Sequence, residues 1–119
     1  MVTDRVRIDS LAAGREHLAR AQRVPGSVLV VPIDRTVPAW LGELAAAAHV
    51  VDATVVAEAR RPADLVGEAG DGWEIGVCTA ALAAGADDVT GIDARRVARV
   101  RDVTACLDAA RAPAPEDAS

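Results

Sequence analysis

A run of arginines near the C-terminal end of the chain is the first feature whose residue types could do chemistry. The stretch GIDARRVARVRDV, residues 91–103, holds four arginines within seven residues, between two aspartates. They are Arg95, Arg96, Arg99 and Arg101. Because planar guanidinium groups match the oxygens of phosphates and carboxylates, arginines placed this closely can form an anion-binding site.

This arginine run fits two local structures. If Asp93 caps a helix that begins at Ala94, the arginines spread over the polar faces of that helix. Its apolar stripe is then Val97, Val100, Thr104 and Leu107. If residues 97–103 instead form a strand, Arg99 and Arg101 point to the same side and Asp102 caps the helix that follows. The alternation of a strand is poorer, so the pattern favours the helix and leaves the strand open.

Three aspartates follow isoleucine at the predicted ends of strands. They are Asp9, Asp34 and Asp93. In a parallel sheet they would lie at the C-terminal edge, where ligands bind in open α/β sheets and in α/β barrels. Converging carboxylates there could hold Mg²⁺ or accept hydrogen bonds from a heterocycle. Each aspartate could equally serve as a helix N-cap, and both interpretations stay open.

The composition excludes several kinds of chemistry. The chain of 119 residues has no lysine and no tyrosine, so it has no Schiff-base lysine and no phosphate-loop lysine. Its net charge of -5 argues against broad nucleic-acid binding. Cys78 and Cys106 lack the spacing of metal ligands and are predicted to be buried thiols in a reducing compartment. His17 and His49 have no paired nucleophile nearby in the sequence, and we therefore do not expect a complete enzyme.

Alternating apolar patterns predict the elements that must position these residues. The absence of a signal peptide and of any long apolar run predicts a cytoplasmic protein with no membrane association. Strands are predicted over residues 5–10, 27–33, 50–59 (ending near Ala57, with a helical alternative) and 87–93. Helices are predicted over residues 11–23 with Ser10 as cap, from Val37 with Thr36 as cap, over 73–84, and from 94 to about 112, with a loop at 67–72. We therefore expect one α/β domain over residues 1–112, with a disordered tail at 113–119.

The expected fold is a mainly parallel sheet of about four strands with flanking helices, either half-barrel-like or a small open Rossmann-like sheet. Within it, residues from about 11 to 112 resemble the C-terminal part of dihydropteroate synthase, the pterin-binding (β/α)₈ barrel family. The resemblance lies in VLVVPIDRT, CTAALAAGADDV and ARVRDVTACLDAAR. Arg99, Val100 and Asp102 match the family's closing Arg-Val-His-Asp motif, where Arg101 replaces the histidine. Thr36 stands where the family has its pterin-contacting lysine.

The resemblance implies a ligand and a role. The family joins a pterin to aminobenzoate and displaces pyrophosphate with the help of Mg²⁺, so Arg35, Arg99 and Arg101 are implied to form an anion pocket. The implied function is an auxiliary or degenerate subunit that binds a phosphorylated or pterin-like ligand at the C-terminal edge of the strands. If the chain is an enzyme, it would be a transferase of this type. The alternative is a Rossmann-like interaction or structural module without a small ligand.

Chain length adds a prediction about partners. A (β/α)₈ barrel needs about 250 residues, so this chain supplies about half of one. A half-barrel exposes sheet edges and apolar surface, and we therefore expect a homo-oligomer or a separate chain that carries the other half. An open doubly wound sheet would need no such partner.

Overall fold

A computed structural model describes residues 5–21 and 26–111, in which strands and helices alternate along the chain. The predicted tail at 113–119 lies outside the described residues. So do residues 22–23, which end the predicted first helix, and residues 24–25, which begin the turn after it. The strands are β1 (Arg5–Arg7), β2 (Val28–Ile33), β3 (Thr54–Ala59) and β4 (Asp88–Thr90). The helices are α1 (Leu11–Ala21), α2 (Leu41–Val50), α3 (Gly67–Ala84) and α4 (Ala94–Arg111).

The four strands form one all-parallel sheet in the order β1-β2-β3-β4. This confirms the predicted α/β class and the sheet of about four strands with flanking helices. The sheet is open, as the Rossmann-like alternative predicts. Its strands also follow chain order without reversal, as in one half of a (β/α)₈ barrel, so both descriptions of the predicted fold find support.

A single hydrophobic core joins one face of the sheet to all four helices. In β2 and β3 alternate side chains point into it, which is the two-residue period of a strand. Those side chains are Leu29, Val31, Ile33, Val55, Ala57 and Ala59. From the helices come Leu18, Leu41, Leu44, Ala48, Val77, Cys78, Ala81, Val97 and Val100. Each helix packs on the next along the chain, so the helices form one layer over one face.

Helix α2 begins later than the sequence pattern predicts. It starts at Leu41 rather than near Val37, and Trp40 at its N-cap position makes no side-chain cap hydrogen bond. The N–H of Leu41 donates instead to the carbonyl of Pro38, at 3.1 Å. A residue before proline is pushed away from helical backbone angles, so Val37 stays out of the helix. The predicted cap at Thr36 is therefore wrong.

Helix α3 begins earlier than predicted, because residues 67–72 are helical rather than a loop. The Arg61 side chain explains the difference. Its Nε donates to the carbonyl of Leu65 at 2.9 Å, and its Nη2 donates to the carbonyl of Gly67 at 3.4 Å. A Cβ at position 70 would overlap the Arg61 guanidinium, so Gly70 leaves the space that this arginine occupies. A side-chain contact from the preceding loop thus overrides the low helix propensity of glycine.

Strand boundaries also differ from prediction. The third strand begins at Thr54 rather than near residue 50, because α2 continues to Val50 and a turn follows. Asp52 sits in that turn with a positive φ of 57°, a conformation that aspartate tolerates better than most residues. The first and last strands are limited to three residues each.

Helix α4 settles the two interpretations of the arginine run. It continues unbroken from Ala94 to Arg111, so the strand over residues 97–103 is wrong and the helix is confirmed. Val97 and Val100 are buried, whereas a strand would have placed Val97 on the arginine side. Asp102 lies in mid-helix and does not cap one. Cys106 is exposed, contrary to prediction, while Cys78 is buried as predicted.

Candidate functional site: the α3–α4 groove

The outer surfaces of α3 and α4 enclose a groove of about 500 Å³. Apolar side chains form most of it, two threonines also line it, and charged groups gather beside the N-terminal turns of α4. The apolar residues are Ile75, Val100, Val103 and Leu107; the polar ones are Thr79, Thr104, Asp93, Arg95, Arg96 and Arg99. We call this feature the α3–α4 groove. Its size lies within the range of sites that bind small molecules.

The groove exists because the apolar surface of these two helices extends beyond the length that the sheet can cover. Helix α4 has 18 residues and is about 27 Å long. It packs beside β4, which has three residues and spans about 10 Å. Val97 and Val100 therefore reach the core, while Val103 and Leu107 further along remain 59% and 49% exposed. Ile75 on α3 is 48% exposed and completes the apolar surface.

One of the groove's arginines is fixed by carboxylates. An Nη1 of Arg96 donates to Glu74 at 2.6 Å and lies 3.5 Å from Asp71. Glu74 also accepts from Arg61 at 3.2 Å, and its side chain is only 13% exposed. Desolvation alone would lower the pKa of Arg96, but its hydrogen bonds and charge contacts with the two carboxylates outweigh this and raise it. This network ties the β3–α3 loop, α3 and α4 together.

Two other arginines of the groove remain available for a ligand. Within the part of the chain that the structure describes, the side chains of Arg95 and Arg99 make no hydrogen bond or ion pair. Both are exposed and lie next to the apolar surface. The groove thus combines an apolar body with unpaired cationic donors at one end.

The structure does not bring the three predicted anion-binding arginines together. Arg99 lines the α3–α4 groove. Arg101, on another face of α4, donates from Nη2 to the Asp87 carbonyl at 2.9 Å and lies 3.4 Å from Asp88, at the start of β4. Arg35 follows the end of β2 and donates to Asp64 at 2.6 Å. Arg35 thus lies at the C-terminal ends of the strands, and Arg101 lies at their N-terminal ends.

The Arg35–Asp64 pair has the properties of a link between loops. Its hydrogen bond raises the pKa of the Arg35 guanidinium and lowers the pKa of the Asp64 carboxyl. Both side chains are more than 60% exposed, so the pair adds little to stability. The indole Nε1 of Trp73 donates to the Arg35 carbonyl at 3.3 Å, which holds the same loop against α3.

The three strand-end aspartates also make different contacts. Asp93 lines the groove and accepts the N–H of Arg95 at 2.8 Å, so it caps α4. Asp9 pairs with Arg7 at 3.1 Å, and the cap of α1 is Ser10, whose hydroxyl accepts the N–H of Ala13. Asp34 is exposed. Over residues 5–21 and 26–111 no group of three histidine, cysteine or acidic side chains is placed to hold a metal ion, so the aspartates do not converge on Mg²⁺.

Sequence reasoning missed two polar contacts. One is the Glu74 network, which lies inside a segment that the glycines made look like a loop. The other joins His49, at the end of α2, to Asp87, with the Nε2 of His49 3.1 Å from each carboxylate oxygen. Asp87 also accepts the N–H of Val55 at 2.8 Å, so this pair fixes the N-terminal edge of the sheet. The Gly-Ala-Asp turn was visible in the sequence, but its histidine partner was not.

No nucleophile stands beside a base in the part of the chain that is described. Cys78 is buried, and desolvation raises the pKa of its thiol, which disfavours the reactive thiolate. The described residues at this site form an apolar groove flanked by charged side chains. None of the described helices is long and apolar enough to span a membrane.

Comparisons with known proteins add no relative to this picture. The motifs that carry the resemblance to dihydropteroate synthase therefore stand by themselves, and that resemblance stays a prediction. No protein-family model, curated protein or solved structure matches the chain.

Proposed function

We propose that this protein is a non-catalytic binding subunit whose α3–α4 groove takes a small anionic ligand with an apolar or aromatic body. The observation that carries the proposal is the pairing of an apolar groove of about 500 Å³ with two arginines that have no partner among the described residues. Arg95 and Arg99 would bind the anionic group. Ile75, Val103 and Leu107 would contact the apolar body.

A phosphorylated, pterin-like ligand is one member of this class. Its phosphate oxygens match guanidinium donors, and its flat ring would lie on the aliphatic side chains. In this arrangement Arg99 keeps the anion-binding role expected from the sequence, with Arg95 beside it. Arg35 and Arg101 hold loops and strand ends together. The ligand would lie between α3 and α4 and would reach the C-terminal edge of the sheet only beside Asp93.

Calorimetric titration tests the proposal with three ligands that separate the two halves of the recognition. These are pterin pyrophosphate, pyrophosphate alone and an uncharged pterin. We expect the ligand with both parts to bind most tightly. Arg99→Ala should weaken its binding by about ten- to a hundredfold, because a hydrogen bond to a charged group contributes about 1.5–3 kcal/mol.

Arg15→Ala is the matched control. Arg15 is an exposed arginine on α1, paired with Glu43 at 2.8 Å, and it does not line the groove. Binding by this variant should equal that of the unmodified protein. The absence of heat with all three ligands, or an equal loss in both variants, would show that the groove does not have this function.

A second candidate function is an interaction module without a small ligand. The observation in its favour is at the other side of the molecule, where one face of the sheet carries no helix. A partner that binds that face would need to cover an apolar sheet surface, and its binding would not involve the groove.

A further inference from the structure

The sheet has one face that none of the described helices covers. Side chains on this face alternate with those that enter the core, and we call it the bare face. It consists of Arg5, Arg7, Val28, Val30, Pro32, Thr54, Val56, Glu58, Asp88 and Thr90. Val56 is only 6% exposed and Val28, Val30 and Pro32 are half-buried, yet none of the four belongs to the core cluster or packs against it. The bare face is therefore a separate apolar surface.

Strand β2 is apolar on both sides, which is the pattern of a parallel strand that is buried on both sides. Strand β3 adds Val56 to the bare face, between Thr54 and Glu58. Among the described residues, moreover, no strand pairs with the outer edge of β1 or of β4. Unpaired edges of this kind are templates for a further strand. The apolar centre and the two open edges together call for a partner that also contains a parallel sheet.

Charge on the bare face is divided between the two edges. Arg5 and Arg7 lie on β1, at one edge, whereas Asp88 lies on β4, at the other. Arg7, Val30, Val56 and Asp88 share one line of the strand register, so the cation and the anion stand at opposite ends of the same row. Glu58 on β3, beside β4, is acidic as well, but Arg60 pairs with it at 2.8 Å. A partner must therefore offer an acidic edge to β1 and a basic edge to β4.

We propose that the partner is a second copy of this chain, and that two copies close an eight-stranded parallel barrel around their bare faces. In a two-fold arrangement each β4 lies beside the second copy's β1, so acidic and basic edges meet twice. Eight strands are the number at which the interior of a closed barrel is filled by side chains. The valines and proline of the bare face then form the apolar part of that interior.

The ion pairs now present at the edges do not oppose this closure. Arg7 pairs with Asp9, and Asp88 lies 3.4 Å from Arg101, but all four side chains are more than half exposed. Exposed pairs of this kind contribute little, so exchanging them for pairs between copies costs little. Within the barrel the new pairs would be shielded from water and correspondingly stronger.

Sedimentation equilibrium of the full chain, from micromolar to near-millimolar concentration, tests the proposal. We expect a species of twice the 12.2 kDa chain mass. Arg7→Glu should weaken this dimer at least about tenfold, because it sets like charges side by side. Adding Asp88→Arg to that variant should restore the dimer. Arg15→Glu makes the same charge change on the helix side and should leave the mass of the dimeric species unchanged.

Further outcomes separate closure from other kinds of assembly. Circular dichroism first checks that each variant is folded, and Val30→Asp provides a second disruption of the bare face. Amide hydrogen exchange of β1 and β4 should slow in the dimer, because closure pairs their outer edges. A monomer at every concentration overturns the proposal, as does a dimer unaffected by Arg7→Glu and Val30→Asp. A dimer lost with Leu107→Asp instead, or one without protection of the edge strands, also overturns it.

Discussion

At the scale of single residues, the arginines of this protein differ by partner and not by type. Arg61 and Arg96 surround Glu74 and hold three segments together. Arg95 and Arg99 belong to the same helical region, yet no described carboxylate binds their side chains. The sequence shows an arginine run but not the acidic residues that neutralise part of it, because Glu74 and Asp71 lie on another helix. Only the fold separates structural arginines from available ones.

The Arg61 contact at Gly70 leads to a stability prediction. Alanine at an exposed helical glycine normally stabilises by about 0.5–1 kcal/mol, because glycine has the larger backbone entropy to lose. At position 70 the new Cβ would displace the Arg61 guanidinium and break its hydrogen bonds. We therefore expect Gly70→Ala to be at least about 1 kcal/mol less stable than Gly72→Ala, measured by urea unfolding.

Gly72→Ala is a suitable control, because nothing lies within 4 Å of a Cβ at that position. Both substitutions sit in the first turns of α3 and change helix propensity equally. If the two variants unfold at the same urea concentration, Arg61 does not determine where α3 begins.

At the scale of elements, the three Ile-Asp strand ends show what a local pattern can establish. All three aspartates were equally plausible caps by sequence, yet only Asp93 is seen to accept a backbone N–H of the helix that follows it. After β1 the serine at position 10 has that role. After β2, Pro38 and a turn delay the helix, which leaves Asp34 several residues from its start. The intervening chain, and not the motif, decides the outcome.

Substitution of these aspartates gives a direct comparison. Asp93→Ala should destabilise the protein by about 1 kcal/mol, the usual loss for an N-cap. Asp34→Ala should change the free energy of unfolding by less than about 0.5 kcal/mol, as expected for an exposed position. Asp93→Ser should recover most of the loss, because serine also caps. Equal effects at positions 34 and 93 in denaturant unfolding would contradict the capping role.

Prediction from the sequence succeeded where periodicity alone decides and failed where a particular side-chain contact or turn does. The parallel sheet follows from the alternation of predicted strands and helices, and apolar spacing favours the helix that the structure shows over residues 94–111. The start of α3 depends on Arg61, and the start of α2 depends on the turn at Pro38. The groove was not predicted, because Leu107 belongs to the predicted apolar stripe and looks like a core residue until the shortness of β4 is known.

At the scale of the whole molecule, this is a one-sided structure. Four helices in one layer cover one face of a sheet whose other face is also apolar at its centre. A domain of this size has little apolar burial to spare, so a sheet face that none of the described helices covers leaves some of the possible stabilisation unused. The groove and the bare face lie on opposite sides, and a ligand and a second copy can therefore bind at the same time.

The one-sided core makes thermal stability depend on concentration if the two copies close a barrel. Because only the folded chain can dimerise, mass action stabilises it. Each tenfold rise in the ratio of the free chain concentration to the dissociation constant contributes about 1.4 kcal/mol. We expect the Tm of the unmodified protein, followed by circular dichroism, to rise by several degrees between micromolar and near-millimolar concentration. The Tm of Arg7→Glu should stay nearly constant over the same range, while Arg15→Glu should follow the unmodified protein. A Tm that is independent of concentration in all three proteins would mean that the chain is stable with its bare face in water.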